Sequence, residues 1–232
     1  GSVPLAKFPR SDKYVDDIAK ASSKAKKIDG RGAKDMPAMM GGKPGSGVVT
    51  NNVANGLLKD PGAIKGFMSS WSNFNFSCTG AERWDKAMAR IPFFVHMVTN
   101  ASEMTMFADI VLPSTFNSAE GWSIVSNMGN GYGYASIQHG AVKRLWDVTQ
   151  EETEVMWLLA EKLQQKGFTN LFDYYSKEFK DPETGKLPTS AMEFSEIAAK
   201  ISSAPLWMPK EPLKGDAPIK GWADFRAKGM FS

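Results

Sequence analysis

Three short apolar segments, each ended by a polar turn, constrain the fold of this chain more than any other feature. They occupy residues 64–70, 91–98 and 109–113. Between them lie a segment with helical spacing at 81–90 and a short helical turn at 103–107. Because buried parallel strands alternate with the helices that cover them, this order is typical of an α/β fold. We therefore predict a Rossmann-like, three-layer α/β domain built on a mostly parallel sheet.

The rest of the chain is predicted to form an arm and a tail around this domain. Residues 1–47 contain ten Lys and Arg against five Asp, with two glycine-rich stretches, so we expect an extended basic arm. The α/β domain is assigned to residues 48–204. Residues 205–232 contain four prolines and are expected to be extended until a final helix. Further helices are predicted at 48–59, 151–165, 171–179, 191–202 and 222–228, the second of them with a capping box of Thr149 and Glu152.

The composition excludes several classes of protein and site. Basic residues number 28 against 25 acidic ones, and the formal charge of +3 is too small to predict nucleic-acid binding. Because Cys78 is the single cysteine, the chain can hold neither a disulfide framework nor a multi-cysteine metal site. His96 lies inside an apolar segment and is predicted to be a hydrogen-bonded core histidine. No apolar run approaches the roughly 18 residues of a membrane span. We therefore assign no catalytic residue, no metal ligand and no membrane span to this chain.

The segment 114–142 is rich in glycine and asparagine and is predicted to be a long functional loop. Its Gly129, Gly131 and Gly133 have the spacing of part of a dinucleotide-binding fingerprint. No clear strand precedes them and no helix follows, so we interpret them as loop glycines.

The polar turns after the three apolar segments are the best candidates for a binding site. In an open parallel sheet, ligands bind outside the carboxyl ends of the strands. The turns at 70–77, 99–105 and 114–120 are rich in Ser, Thr, Asn and Glu, which can bind a base, a ribose or a phosphate. The same residue types are also ordinary turn formers. Trp71 and Trp122 lie beside these turns and could stack on a heterocycle, with core or domain contacts as the alternative.

The order of these motifs resembles the third domain of the catalytic subunit of molybdopterin oxidoreductases, the dimethyl sulfoxide reductase family. The most specific element is the sequence ADIVLP at 108–113 followed by Glu120, one strand after the turn WSNFN at 71–75. The resemblance covers about residues 48–165 and, within the family, is greatest to the sulfur-oxyanion and arsenate reductases. Phe74 stands where the family usually has a proline.

The resemblance implies a domain that binds one guanosine arm of a bis-molybdopterin guanine dinucleotide cofactor carrying molybdenum or tungsten. Guanine offers N1–H and N2–H₂ donors, and it therefore needs carboxylate or carbonyl acceptors. The residues that the resemblance places against the cofactor are Ser72, Asn73 and Asn75 in the first turn, Thr99, Asn100, Ser102 and Glu103 in the second, and Glu120 and Asn127 in the following loop.

The resemblance also implies that the chain is one piece of a longer subunit. An iron–sulfur cluster, the ligand to the metal and a C-terminal domain would lie outside it, and the isolated chain is expected to be inactive. The expected partners are the remaining domains of that subunit and an iron–sulfur electron-transfer subunit. The whole enzyme would be periplasmic and would reduce a sulfur or arsenic oxyanion in anaerobic respiration. The alternative is a stand-alone α/β nucleotide-binding or adaptor module without redox activity.

Overall fold

The chain divides into two compact units. The first unit comprises Gly1–Val15 and Thr115–Ser232, and the second comprises Asp16–Ser114. The computed structural model describes residues 3, 5–24, 52–116, 120, 123–129, 132–147, 151–211 and 219–231. The predicted α/β class is confirmed, because a parallel sheet occurs with helices in the second unit and a small antiparallel sheet with helices in the first.

The second unit is built on the predicted parallel sheet. Its strands are β1 (Phe67–Ser70), β2 (Phe94–Val98) and β3 (Ile110–Pro113), and they lie in the order β1-β2-β3. Both pairings are parallel, so the carboxyl ends of all three strands lie at the same edge. Among the described residues of this unit, the helices are α1 (Asp17–Lys24), α2 (Val53–Lys59), α3 (Phe74–Ser77) and α4 (Ala81–Met88), with a 3-10 helix at Glu103–Phe107.

The core of the second unit forms where α2 and α4 pack with the sheet. On α4, the buried residues Trp84, Ala87 and Met88 follow the three- and four-residue spacing that places side chains on one face of a helix. They pack with Leu57 of α2 and Phe94 of β2, both at most 1% exposed. This packing fixes the sheet whose carboxyl edge carries the predicted binding turns.

The predicted arm is not wholly extended, because α1 lies within it. The Asp16 carboxylate accepts a hydrogen bond of 2.7 Å from the amide of Ala19, which caps the first turn of this helix. The arm's glycine-rich stretches lie outside the described residues.

The first unit contains an antiparallel sheet that the sequence analysis missed. Its strands are β4 (Ser123–Gly129), β5 (Tyr132–Gln138) and β6 (Met230–Phe231). The prediction of a long loop over 114–142 is therefore wrong. Gly129 pairs with Tyr132, so Gly129 and Gly133 lie near the end of a hairpin. Glycine is common where antiparallel strands are joined, and here it signals the hairpin and not a loop.

The helices of the first unit agree with the predicted segments, with two corrections. They are α5 (Glu152–Gln165), α6 (Asn170–Glu178), α7 (Ala191–Trp207) and α8 (Gly221–Lys228), and a 3-10 helix spans Asp12–Tyr14.

The first correction concerns α5, whose capping box is formed by Glu151 and Glu154 and not by Thr149 and Glu152. The Glu154 carboxylate accepts a 3.0 Å bond from the Glu151 amide, and Thr149 lies outside the described residues. The second correction concerns the tail, because α7 continues through Pro205. Pro205 lies in the last turn of this helix, and the residues that follow it, Leu206 and Trp207, are 1% and 3% exposed.

Candidate functional site

The turns after β1 and β2 form a cavity of about 280 Å³ at the carboxyl edge of the parallel sheet. This volume lies just below the range of about 300–1,000 Å³ that is common for small-molecule sites. Five of the nine predicted site residues line the cavity. The lining residues are Trp71, Ser72, Asn73, Val98, Thr99, Asn100 and Ser102.

His96 connects the two turns through hydrogen bonds to Ser72 in the first turn and Thr105 in the second. The side chain is fully buried on β2, and its Nε2 lies 2.9 Å from the carbonyl oxygen of Ser72. Because a carbonyl can only accept, Nε2 carries the ring proton, and Nδ1 accepts from the Thr105 hydroxyl at 3.1 Å. Burial lowers the pKa of His96 by removing water from the charged form, and the hydrogen bond to the Ser72 carbonyl opposes this shift. The prediction of a hydrogen-bonded core histidine is confirmed. Its contact with both turns that form the cavity was not predicted.

Asn73 and Glu103 bring an amide and a carboxylate together beside the cavity. The Asn73 Nδ2 donates a 2.6 Å hydrogen bond to Glu103 Oε2, and this bond is the main cause that lowers the pKa of the Glu103 carboxyl. The opposite atom of the same amide, Asn73 Oδ1, is buried and has no hydrogen-bond partner among the described residues. Glu103 is therefore ionised at neutral pH, and Asn73 retains an unsatisfied acceptor.

The second turn supplies hydroxyl and amide groups on the other side of the cavity. The Thr99 hydroxyl donates to Asn100 Oδ1 at 3.0 Å. The Ser102 amide donates to the Thr105 hydroxyl oxygen at 2.9 Å, which caps the 3-10 helix that follows. The wall at 99–102 is thus held by local hydrogen bonds and by the His96 contact to Thr105.

Trp71 lines the cavity in an uncommon backbone conformation. Its φ is 56°, in the left-handed region, where bulky residues are rarely found. The indole Nε1 donates to the Ser114 hydroxyl at 3.0 Å, and the side chain is 43% exposed. Trp122, the other tryptophan considered for stacking, lies outside the described residues.

Asn75 does not line this cavity. It is 2% exposed, and its Nδ2 donates a 2.6 Å bond to Asp85 Oδ1, which connects α3 to α4. Its amide position is explained by this connection, and the cofactor role given to it from the sequence stays a prediction.

Glu120 and Asn127 belong to the first unit. The Glu120 carboxylate accepts hydrogen bonds from the amides of Phe116 at 3.0 Å and Leu145 at 2.6 Å, and these bonds lower its pKa. Glu120 therefore stabilises the local backbone by accepting two amide hydrogen bonds. This role was not predicted from the sequence. Asn127 lies in β4 opposite Tyr134, and its side chain is outside the described part of the chain.

The arrangement in the second unit is suited to binding rather than to bond-breaking chemistry. Hydroxyl and amide side chains line the cavity, the Glu103 carboxylate is hydrogen-bonded to one of them, and the nearby His96 is buried and bonded through both ring nitrogens. Across the residues that the structure describes, no group of three His, Cys, Asp or Glu side chains could hold a metal ion. Nor is any described helix long and apolar enough to cross a bilayer.

Comparison with known proteins identifies similar sequences along nearly the whole chain. No protein-family model matches it. It is 52% identical over 230 residues to the arsenate respiratory reductase molybdopterin-containing subunit ArrA of Chrysiogenes arsenatis, and 39% identical over 229 residues to the subunit of the same name from Shewanella sp. (strain ANA-3). Each match covers 98% of this chain and 27% of the relative, so the chain spans about a quarter of the length of these proteins.

Proposed function

We propose that this chain, a homologue of the molybdopterin-containing subunit of arsenate respiratory reductases, is the part of such a subunit that binds one guanosine arm of the cofactor. The homology confirms the resemblance to molybdopterin oxidoreductases that the turn motifs indicated. The proposal places the arm in the cavity of the second unit. The observation that supports it most is the position of this cavity, at the carboxyl edge of a parallel sheet and between two turns of hydrogen-bonding side chains.

The residues around the cavity fit the chemistry of a guanosine. Guanine donates through N1–H and N2–H₂, and the Glu103 carboxylate, which Asn73 holds beside the cavity, can accept these hydrogen bonds. The hydroxyls of Ser72, Thr99 and Ser102 can bind a ribose or a phosphate oxygen. The cavity volume suits one base with part of its sugar rather than a whole dinucleotide.

In the whole enzyme, the bound metal would supply the two-electron chemistry of oxyanion reduction. The proposed task of this chain's residues is to bind and orient the cofactor, and no catalytic role is assigned to them. The proposed partners are the rest of the subunit and an iron–sulfur electron-transfer subunit, with a periplasmic location. The domain limits at 47 and 204 also remain proposals.

The proposal is tested by titrating the chain with guanosine diphosphate, which carries the base, the ribose and the diphosphate of the arm. Isothermal titration should show one site, with adenosine diphosphate binding more weakly because adenine lacks the N1–H and N2–H₂ groups that would donate to Glu103. Glu103→Gln should weaken guanosine diphosphate binding about ten-fold or more, since hydrogen bonds to charged groups contribute about 1.5–3 kcal/mol.

Glu193→Gln is the matched control. Glu193 is an exposed carboxylate of the first unit that also accepts a side-chain hydrogen bond, from Thr189 at 2.7 Å. This variant should bind both nucleotides as the unmodified chain does. Absence of binding at millimolar guanosine diphosphate, or equal binding of the two nucleotides, would contradict the proposal.

A further inference from the structure

Trp71 combines two features that are individually uncommon on a protein surface. Its backbone is in the left-handed region at φ 56°, and it is the only described non-glycine residue with a positive φ. Its large aromatic side chain is also 43% exposed beside a cavity. Strained backbone conformations persist where the surrounding structure determines them and are concentrated at functional sites.

The surrounding structure fixes Trp71 at both its backbone and its ring. The Trp71 amide donates to the carbonyl of Met97 at 3.0 Å and so extends the parallel pairing of β1 with β2 by one residue. The indole Nε1 donates to Ser114, a 5% exposed residue directly after β3. The indole is thus hydrogen-bonded to the residue that follows β3, and Trp71 lines the cavity.

We propose that Trp71 is a stacking platform for the base of the nucleotide bound in this cavity, held in place at the cost of backbone strain. This inference rests on the proposed function, because it names the contact that the same site makes with the base. Every nucleobase has a π-face, so stacking contributes affinity without selecting one base. Trp71 would supply affinity, whereas Glu103, which Asn73 holds beside the cavity, would supply the preference for guanine.

The strain is tested first, with a pair of variants that both remove the ring. Trp71→Gly and Trp71→Ala lose the same contacts, but only glycine adopts a positive φ without penalty. The glycine variant should therefore unfold about 2–8 °C higher than the alanine variant. At a position with an ordinary negative φ, the alanine variant unfolds at the higher temperature. That result would contradict the inference that the backbone of Trp71 is strained.

Stacking is tested by nucleotide affinity in the same chain. Trp71→Gly should weaken both guanosine and adenosine diphosphate by a similar factor, about 5- to 150-fold. Trp71→Phe keeps an aromatic face but lacks the donor to Ser114, so its affinity should lie between those of the glycine variant and the unmodified chain. Trp146→Gly, which removes a 61% exposed tryptophan from the first unit, is the control and should leave both affinities unchanged.

The outcomes separate this inference from the proposed function. If the unmodified chain prefers guanosine diphosphate and Trp71→Gly binds it equally well, the platform is wrong and the cofactor-arm proposal stands. If Trp71→Gly loses only the guanosine nucleotide, the side chain reads the base and does not act as a general platform. If the unmodified chain binds neither nucleotide, the proposed function fails, and the platform fails with it.

Discussion

His96→Gln is expected to remove an acid-induced loss of stability from the second unit. The imidazole is fully buried, and burial lowers its pKa below the ordinary value of 6.5. In the unfolded chain the same side chain is hydrated and titrates near 6.5. Below that pH the unfolded chain binds a proton that the folded chain does not, so stability falls as the pH falls through this window.

The expected change in unfolding free energy is estimated from one bound proton and from the two hydrogen bonds of His96. One proton changes the free energy of unfolding by at most about 1.4 kcal/mol per pH unit, which lowers the unfolding temperature by about 3–6 °C between pH 6 and pH 5. The oxygen of a glutamine amide lies one bond farther from the backbone than Nδ1 of the imidazole, so glutamine can replace the bond to the Ser72 carbonyl but not also the bond from the Thr105 hydroxyl in its present position. The variant should therefore lose about 1–3 kcal/mol at every pH, without the acid-dependent part.

Calorimetric unfolding of both proteins between pH 5 and pH 8 measures this difference. His139 and the carboxylates are common to the two proteins, so their effects cancel when the variant's unfolding temperature is subtracted from that of the unmodified chain. The difference should be constant above about pH 7 and should shrink toward pH 5. A difference that stays constant across the whole range would refute the neutral, buried state of His96.

Three further outcomes are expected. Lys200→Met leaves Asp181 buried without the ammonium that lies 2.7 Å away. The variant should lower the free energy of unfolding in urea by about 3–5 kcal/mol, and adding Asp181→Asn should restore much of this loss. A loss below about 1 kcal/mol for Lys200→Met alone would contradict the reasoning. Arg144→Met leaves the carboxylates of Glu151 and Glu154, 4% and 2% exposed, without their cation. It should lower the urea unfolding free energy by about 2–4 kcal/mol at pH 7; a loss below about 1 kcal/mol would count against it. Supplied with molybdenum cofactor and reduced viologen, the isolated chain should reduce no arsenate above the rate in buffer, and measurable turnover would overturn that expectation.

The parallel sheet could be predicted because its three strands are short apolar segments that end at recognisable turns, although only β2 is mostly buried. Continuous apolar runs that stop at polar residues or proline are the signature of such strands. Most residues of the cavity could also be predicted, because the turns that follow parallel strands lie at the same edge of the sheet. Ser72, Asn73 and Thr99 therefore emerged from the sequence together.

The antiparallel sheet was missed because its composition is misleading. Asn and Gly are frequent in loops, but here Asn127 and Gly129 pair with Tyr134 and Tyr132 across a hairpin. The alternation of Ala135 and Ile137, both buried, with Tyr134 and Ser136 was the signal that could have revealed β5.

Other features depend on residues distant in sequence and could not be read locally. Asn75 is buried because Asp85 of α4 accepts its amide hydrogen bond, and the ring of Trp71 is held by Ser114, 43 positions away. No rule based on neighbouring residues places a tryptophan at a positive φ. Tertiary contacts decide both positions.

Hydrogen exchange of the chain with and without guanosine diphosphate tests the location of the cofactor arm most directly. The account predicts slower exchange at the amides of 70–75 and 98–105, the two turns that form the cavity, with no change in the helices of the first unit. Protection confined to the first unit, or no protection at saturating nucleotide, would contradict it.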